Sequence, residues 1–215
     1  MDEKNTNLVL IDGEIMPMEE AFVDVNDRGH NFGDGVFELV PVYNGRCFAL
    51  LPLMNNLFDS VISVKIPGVY MIEELVEFHE NLIAATGLEN CEIYTQITRG
   101  SAPYGLAYPE PCVPRLTMFA VPVDREALAE KRSKGVNVIT EKDERWSRCD
   151  VNTLNRLPDV VAKQKALLAA PLMLSLCGMA KSPRLPKPAS LSTRTVCSGP
   201  IRKTISSTKM WFVAC

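Results

Sequence analysis

Within RWSRCDVNTLNRLP, residues 145–158, stand a tryptophan, three arginines, a cysteine, an aspartate and two asparagines. No other stretch carries as many chemistry-bearing side chains per residue. A second concentration is DRGHNFGDGVFE, 27–38, with Gly29, Gly33 and Gly35 inside seven positions and a strand-like run behind them. Glycine permits a left-handed backbone and close approach of another segment, so this is a shaped loop rather than a generic linker. His30 lies in it and could act as a base, although a lone loop histidine is more often simply hydrated. The spacing is not GxGxxG and no helix is expected to follow, so a dinucleotide fold is unsupported. The seven cysteines are scattered, without CxxC, and there are only two histidines. No metal site is expected, and reduced thiols in a cytoplasmic protein are.

The elements that must position these residues mix helix and strand. LVLI (8–11) followed by Asp12-Gly13 predicts a strand and a tight turn. VFELVPVY (36–43), Asn44-Gly45 and RCFALL (46–51) predict a hairpin, because Asn-Gly favours the left-handed two-residue turn. LMNNLFDSVISVKI (53–66) has helical spacing and is stopped by Pro67-Gly68; IEELVEFHENLIAATG (72–87) is a second amphipathic helix ending in glycine. EIYTQITRG (92–100), RLTMFAVPV (115–123) and VNVITEK (136–142) read as strands, and DVVAKQKALLAA (159–170) as a helix behind Pro158.

The net charge of −3 over 215 residues argues against general nucleic-acid binding. The longest apolar stretch, 167–180, is shorter than the ~20 residues that cross a bilayer. Charge is uneven. Residues 181–215 carry seven basic side chains and no acid, leaving 16 basic and 26 acidic residues in the remainder. This Ser-, Thr- and Pro-rich tail has no apolar period and reads as disordered.

In order along the chain, DRGHNFGDGVFE, the VYNG hairpin, ITRGSAP (97–103), RWSRCDV and LPDVVAKQKA (157–166) resemble aminotransferase class IV proteins, the pyridoxal 5'-phosphate (PLP) enzymes of fold type IV. The likeness leans towards D-amino-acid aminotransferases, with branched-chain aminotransferases and aminodeoxychorismate lyase as relatives. It implies an α+β two-domain fold: an N-terminal α/β domain over 1–123, a linker at 124–135, and the start of a barrel-like C-terminal domain over 136–170. It also implies PLP between the domains, an amino acid and a 2-keto acid as substrates, and a homodimer. Residues 171–215 fall outside the resemblance.

The departures are chemical. Where the family has RCD, one apolar residue, then the lysine that forms the Schiff base with PLP, this chain has Asn152. An amide is neither basic nor nucleophilic, and loss of a positioned general base costs about 10²–10⁴-fold. A third-base change converts a lysine codon to an asparagine codon. The family's arginine for the PLP phosphate is matched by Asn56, and the arginine and histidine that hold the substrate carboxylate by Tyr104 and Leu106. A tyrosine near the active site corresponds to His30. After Ala170 the expected AYDAIFVRDGKVTEG gives way to PLMLSLCGMAKSPRLP. Codons shifted to take the last base of one triplet and the first two of the next can restore YDAIxVRDGKVTE; Met179-Ala180 then forces glycine, and Cys177-Gly178 allows only arginine or tryptophan. A frameshifted, inactive aminotransferase is therefore expected. The alternatives are an active class IV lyase or transaminase using another amine, such as Lys163 or Lys165, and a non-enzymatic binding protein on the same fold.

Overall fold

The computed structural model describes residues 7–68, 70–134, 138–168, 173–177 and 211–212. They form two compact units. One contains residues up to Arg125 with Val151–Asn155; the other contains Glu126–Asp150 and residues from Arg156 onward.

The first unit is an antiparallel sheet of order β2-β1-β6-β5-β3-β4. Its strands are β1 (Leu8–Ile11), β2 (Glu14–Pro17), β3 (Gly35–Tyr43), β4 (Arg46–Cys47), β5 (Cys91–Thr98) and β6 (Arg115–Pro122). Asp12 and Gly13 join β1 to β2 at φ 50° and 96°, and Asn44 and Gly45 join β3 to β4 at 50° and 71°. The strand period of two places Val36, Val40 and Val42 on the same face as Cys91, Ile93 and Ile97 and as Leu116, Met118 and Ala120, all buried. Helices α2 (Leu50–Ser63) and α3 (Ile72–Thr86) cover that face, with Met54, Leu57, Leu75 and Leu82 fully buried. Each such side chain contributes about 1.5–3 kcal/mol of transfer free energy.

Three local features differ from the sequence expectation. The hairpin's second strand is two residues long, not six. Leu50, Leu53, Met54, Leu57 and Val61 form one helical stripe against the core, so α2 begins at Leu50, and Ala49 turns the chain into it at φ 54°. The glycine loop contains a helical turn, α1 (Arg28–Phe32). The Asp27 carboxylate accepts from the Gly29 and His30 amides at 2.7 and 3.3 Å, and left-handed Gly33 ends the turn. Residues 151–155, read from sequence as part of the second domain, run beside β3, with Val151 in the first unit's core.

In the second unit, β7 (Val138–Lys142) pairs in parallel with β8 (Met173–Cys177), which pairs antiparallel with β9 (Trp211–Phe212). Helix α5 (Leu157–Leu168) connects β7 to β8 in sequence and buries Ala162 and Ala166, one turn apart. The charged stretch expected as a linker contains α4 (Arg125–Lys134). Two short pieces of the expected tail are strands; the rest of that tail lies outside the described residues. The α+β class is as expected. Among the described residues no helix is long and apolar enough to cross a membrane.

Candidate cofactor and substrate site

The two chemistry-bearing stretches meet. The Phe37 amide donates to the Asn152 carbonyl at 2.9 Å and the Leu154 amide to the Gly35 carbonyl at 3.1 Å, while Thr153 bridges to Val36. Residues 152–154 thus extend the sheet along β3. Side chains at two glycines would prevent this. A Cβ on Gly35 would lie 2.6 Å from Leu154 Cδ1 and 2.8 Å from the Ile97 carbonyl oxygen, and one on Gly33 would lie 2.6 Å from Asn155 Oδ1. The Asn155 amide donates to the Gly33 carbonyl at 3.2 Å. The glycine loop is therefore the surface on which residues 152–155 lie. Asn152 has a pinned backbone and an exposed side chain.

Next to this junction Asp34 joins two buried arginines. Arg28 and Arg99 each place Nε 2.8 Å from the same Asp34 oxygen. Burial works to raise the Asp34 pKa, but the hydrogen bonds and charges of Arg99 and Arg28 outweigh it and hold the carboxyl below the usual carboxylate range. Arg99 also donates to the carbonyls of Lys65 and Val64 at 2.7 and 2.8 Å and stacks over Tyr108 at 3.8 Å. Arg28 donates to the carbonyls of Gly105 and Leu106. The loop that carries Tyr104 and Leu106 is thus tied down through its backbone.

The site residues read from sequence are placed as follows. Tyr104 and Leu106 are 83% and 80% exposed, and the Tyr104 ring lies 5.2 Å from Phe32. Asn56 is exposed on α2, between buried Met54 and Leu57. His30 is exposed and lines a cleft of about 850 Å³ on the sheet face opposite α2 and α3. Among the described residues that line that cleft, Asn56, Tyr104 and Leu106 are absent. The three arginines of 145–158 each have an aspartate partner in the second unit: Arg145 with Asp143 at 2.8 Å, Arg148 with Asp150 at 2.9 Å, and Arg156 with Asp159 at 3.5 Å. Burial pushes the Cys149 thiol up, partly countered by the charge of Arg145. Cys47, Cys91, Cys112 and Cys149 are free thiols.

Sequence reasoning did not single out Asp34, Glu38 or the aromatic row Phe37, Tyr94 and Phe119. Phe37 stacks on Tyr94 at 5.4 Å and Tyr94 meets Phe119 tilted at 5.2 Å, across three strands. Strand alternation alone could have grouped them. Glu38 is buried, which raises its pKa, and its carboxylate accepts from the Leu39 amide at 3.0 Å.

A family model described as amino-transferase class IV matches residues 35–170, more than half of the chain. The chain belongs to the class IV aminotransferase family. It is 36% identical over 160 residues to a D-alanine aminotransferase of Staphylococcus haemolyticus, covering 74% of this chain and 56% of that protein. The chain thus spans little more than half the length of such relatives. An Escherichia coli branched-chain amino acid aminotransferase superposes at TM-score 0.72 and 19% identity, over 81% of this chain and 60% of that one. A Mycobacterium tuberculosis hypothetical aminotransferase in PLP-bound form superposes at 0.66 and 18%, over 80% and 62%. These likenesses establish the fold type IV architecture. PLP is the cofactor of such structures. Asn152 offers an amide, and the first unit's one described lysine, Lys65, follows α2 with its carbonyl held by Arg99.

Proposed function

We propose that this chain is an aminotransferase scaffold without the covalent step. In its family the reaction moves an amino group from an amino acid to a 2-keto acid, and the S. haemolyticus relative inclines the ancestral substrate towards D-amino acids. The observation that carries the reading is Asn152. Its backbone is pinned to β3 at the position matched to the family lysine, and its side chain can neither attack the cofactor aldehyde nor move a proton. Asn56 supports it, since a carboxamide replaces the charge-assisted fork of an arginine at the phosphate position. A cytoplasmic homodimer, and a shifted reading frame after Ala170, belong to the same proposal.

The test is PLP added to the purified chain, reduced with borohydride and mapped by peptide mass spectrometry. No adduct is expected at residue 152. A stoichiometric adduct at another lysine together with turnover overturns the reading. Resequencing the coding DNA through codons 150–175 tests the frame; an unshifted frame there overturns that part.

A further inference from the structure

We propose that Asn44 is a modification site gated by the β3–β4 hairpin. Its carboxamide is converted to aspartate and isoaspartate by attack of the Gly45 backbone nitrogen when the hairpin tip opens, and the closed turn blocks that attack. This goes beyond the function proposed above and does not rest on it, because neither residue was matched to a cofactor or substrate position.

Asn44-Gly45 is the one asparagine–glycine pair in the sequence. Glycine has no side chain to crowd the carboxamide before it, so its nitrogen reaches Asn44 Cγ with little hindrance. The step needs no oxidant, reductant or cofactor. Solvent base removes the Gly45 amide proton, and the nitrogen bonds to Asn44 Cγ. The Cγ–Nδ2 bond breaks, and Nδ2 takes a proton from water and leaves as ammonia. Water then opens the five-membered imide at one of its two carbonyls. One opening gives aspartate. The other gives isoaspartate, in which the main chain runs through the side-chain carbon.

Both residues are exposed, and a Cβ placed on Gly45 would meet no described residue beyond its chain neighbours within 4 Å. The closed turn itself opposes attack in two ways. The Gly45 amide donates to the Glu89 carbonyl at 2.8 Å, so its proton is held. Both turn residues are also left-handed, Asn44 at φ 50° and Gly45 at φ 71°. In that region ψ is about +30 to +60°, which puts Cβ and the next nitrogen on opposite sides of the Cα–C bond. Ring closure needs them on the same side.

The gate is slender. β4 is two residues long at the edge of its sheet, paired through Val42–Cys47 and Tyr43–Arg46. Behind those pairs the Phe48 amide donates to the Pro41 carbonyl at 2.8 Å, and the Phe48 ring meets Tyr43 edge-on at 5.7 Å. Arg125 braces the same corner, donating to the Val42 carbonyl at 3.2 Å and stacking over Tyr43 at 3.8 Å. Short edge segments with exposed hydrogen bonds open at low free energy, so the Gly45 nitrogen is freed while the rest of the sheet stays folded. Isoaspartate makes the opening permanent, because its extra main-chain carbon does not fit a two-residue turn. Aspartate tolerates the left-handed backbone and allows the turn to close again.

The test ages the full chain without PLP in mildly alkaline buffer, alone and in concentrated urea. Residue 44 is followed by peptide mass spectrometry, with isoaspartate counted by enzymatic methylation. Conversion is expected in both samples, about tenfold to a thousandfold slower in the folded chain. Phe48→Ala removes the edge-on ring contact and leaves both reacting residues in place. It is expected to speed conversion in the folded chain about threefold or more and to leave the rate in urea unchanged. If circular dichroism shows that this variant does not fold, Arg125→Gln gives the same readout from the other side of Tyr43. Gly45→Ala in urea should slow conversion about tenfold or more by crowding the attacking nitrogen. Equal rates with and without urea, conversion confined to urea, a folded rate unmoved by the folded variant, or no slowing by Gly45→Ala overturns the proposal. The borohydride result bears on the cofactor alone, so the two failures are distinguishable.

Discussion

Asp34 is the residue whose loss should cost most outside the apolar core. Removing its carboxylate leaves Arg28 and Arg99, both nearly inaccessible, without a counter-charge. Breaking a buried pair in this way costs about 3–5 kcal/mol. Asp34→Ala is therefore expected to lower the urea midpoint sharply. It should also open the loop around Tyr104 to proteolysis, because Arg28 holds the carbonyls of Gly105 and Leu106. At Asn152 the expectation is asymmetric. Asn152→Lys restores an amine but leaves Asn56, Tyr104, Leu106 and the residues after Ala170 as they are, so coupled transaminase assays should still read background. Turnover by that single variant would locate the whole defect at one side chain.

At the scale of elements, the junction between β3 and residues 152–155 requires a glycine. Gly35→Ala places a methyl group against Leu154 and the backbone carbonyl of Ile97. Over-packing of this kind costs about 1–3 kcal/mol, and chemical denaturation measures it. Helix α3 carries a pH dependence. His79 is buried; its Nδ1–H donates to the Leu75 carbonyl at 2.6 Å, and its Nε2 accepts from the Thr95 hydroxyl at 2.9 Å. Burial lowers its pKa from 6.5 to about 4. Between those values the unfolded chain binds the extra proton and the folded chain does not. This contribution to stability is therefore complete above pH 6.5 and falls away as pH drops towards 4, at about 1.4 kcal/mol per unit. Urea midpoints measured across that window should decline, and less so in His79→Gln. Asp34 acts lower, below the ordinary carboxylate range, since its folded pKa is depressed.

At the scale of the molecule, apolar surface is left open in both units. Phe22 and Val25 in the first are 81% and 71% exposed, and Leu157 and Leu168 in the second 72% and 79%. Surface of this kind favours association. Purified chain is expected to bind ANS and to scatter light on warming; a sharp, reversible thermal transition in a clear solution of monomers would contradict this.

What the amino-acid order determined by itself is what depends on near neighbours. The alternation in 36–43, 92–98 and 115–122 produced strands, the stripes in α2 and α3 produced helices, and Asn-Gly produced the hairpin turn. Asparagine at residue 152 offers no amine whatever the fold. Local signals also misled: RCFALL read as strand because a short apolar run has no period of its own, and the α1 turn depended on a cap from Asp27 that composition does not reveal. Only the tertiary structure decided that residues 152–155 lie on Gly33 and Gly35, that one carboxylate oxygen serves two arginines 71 positions apart in sequence, and that the Gly45 amide meets the Glu89 carbonyl. Those are pairings between distant segments. They follow from how the sheet's register closes the chain on itself, and no window of neighbouring residues contains that information.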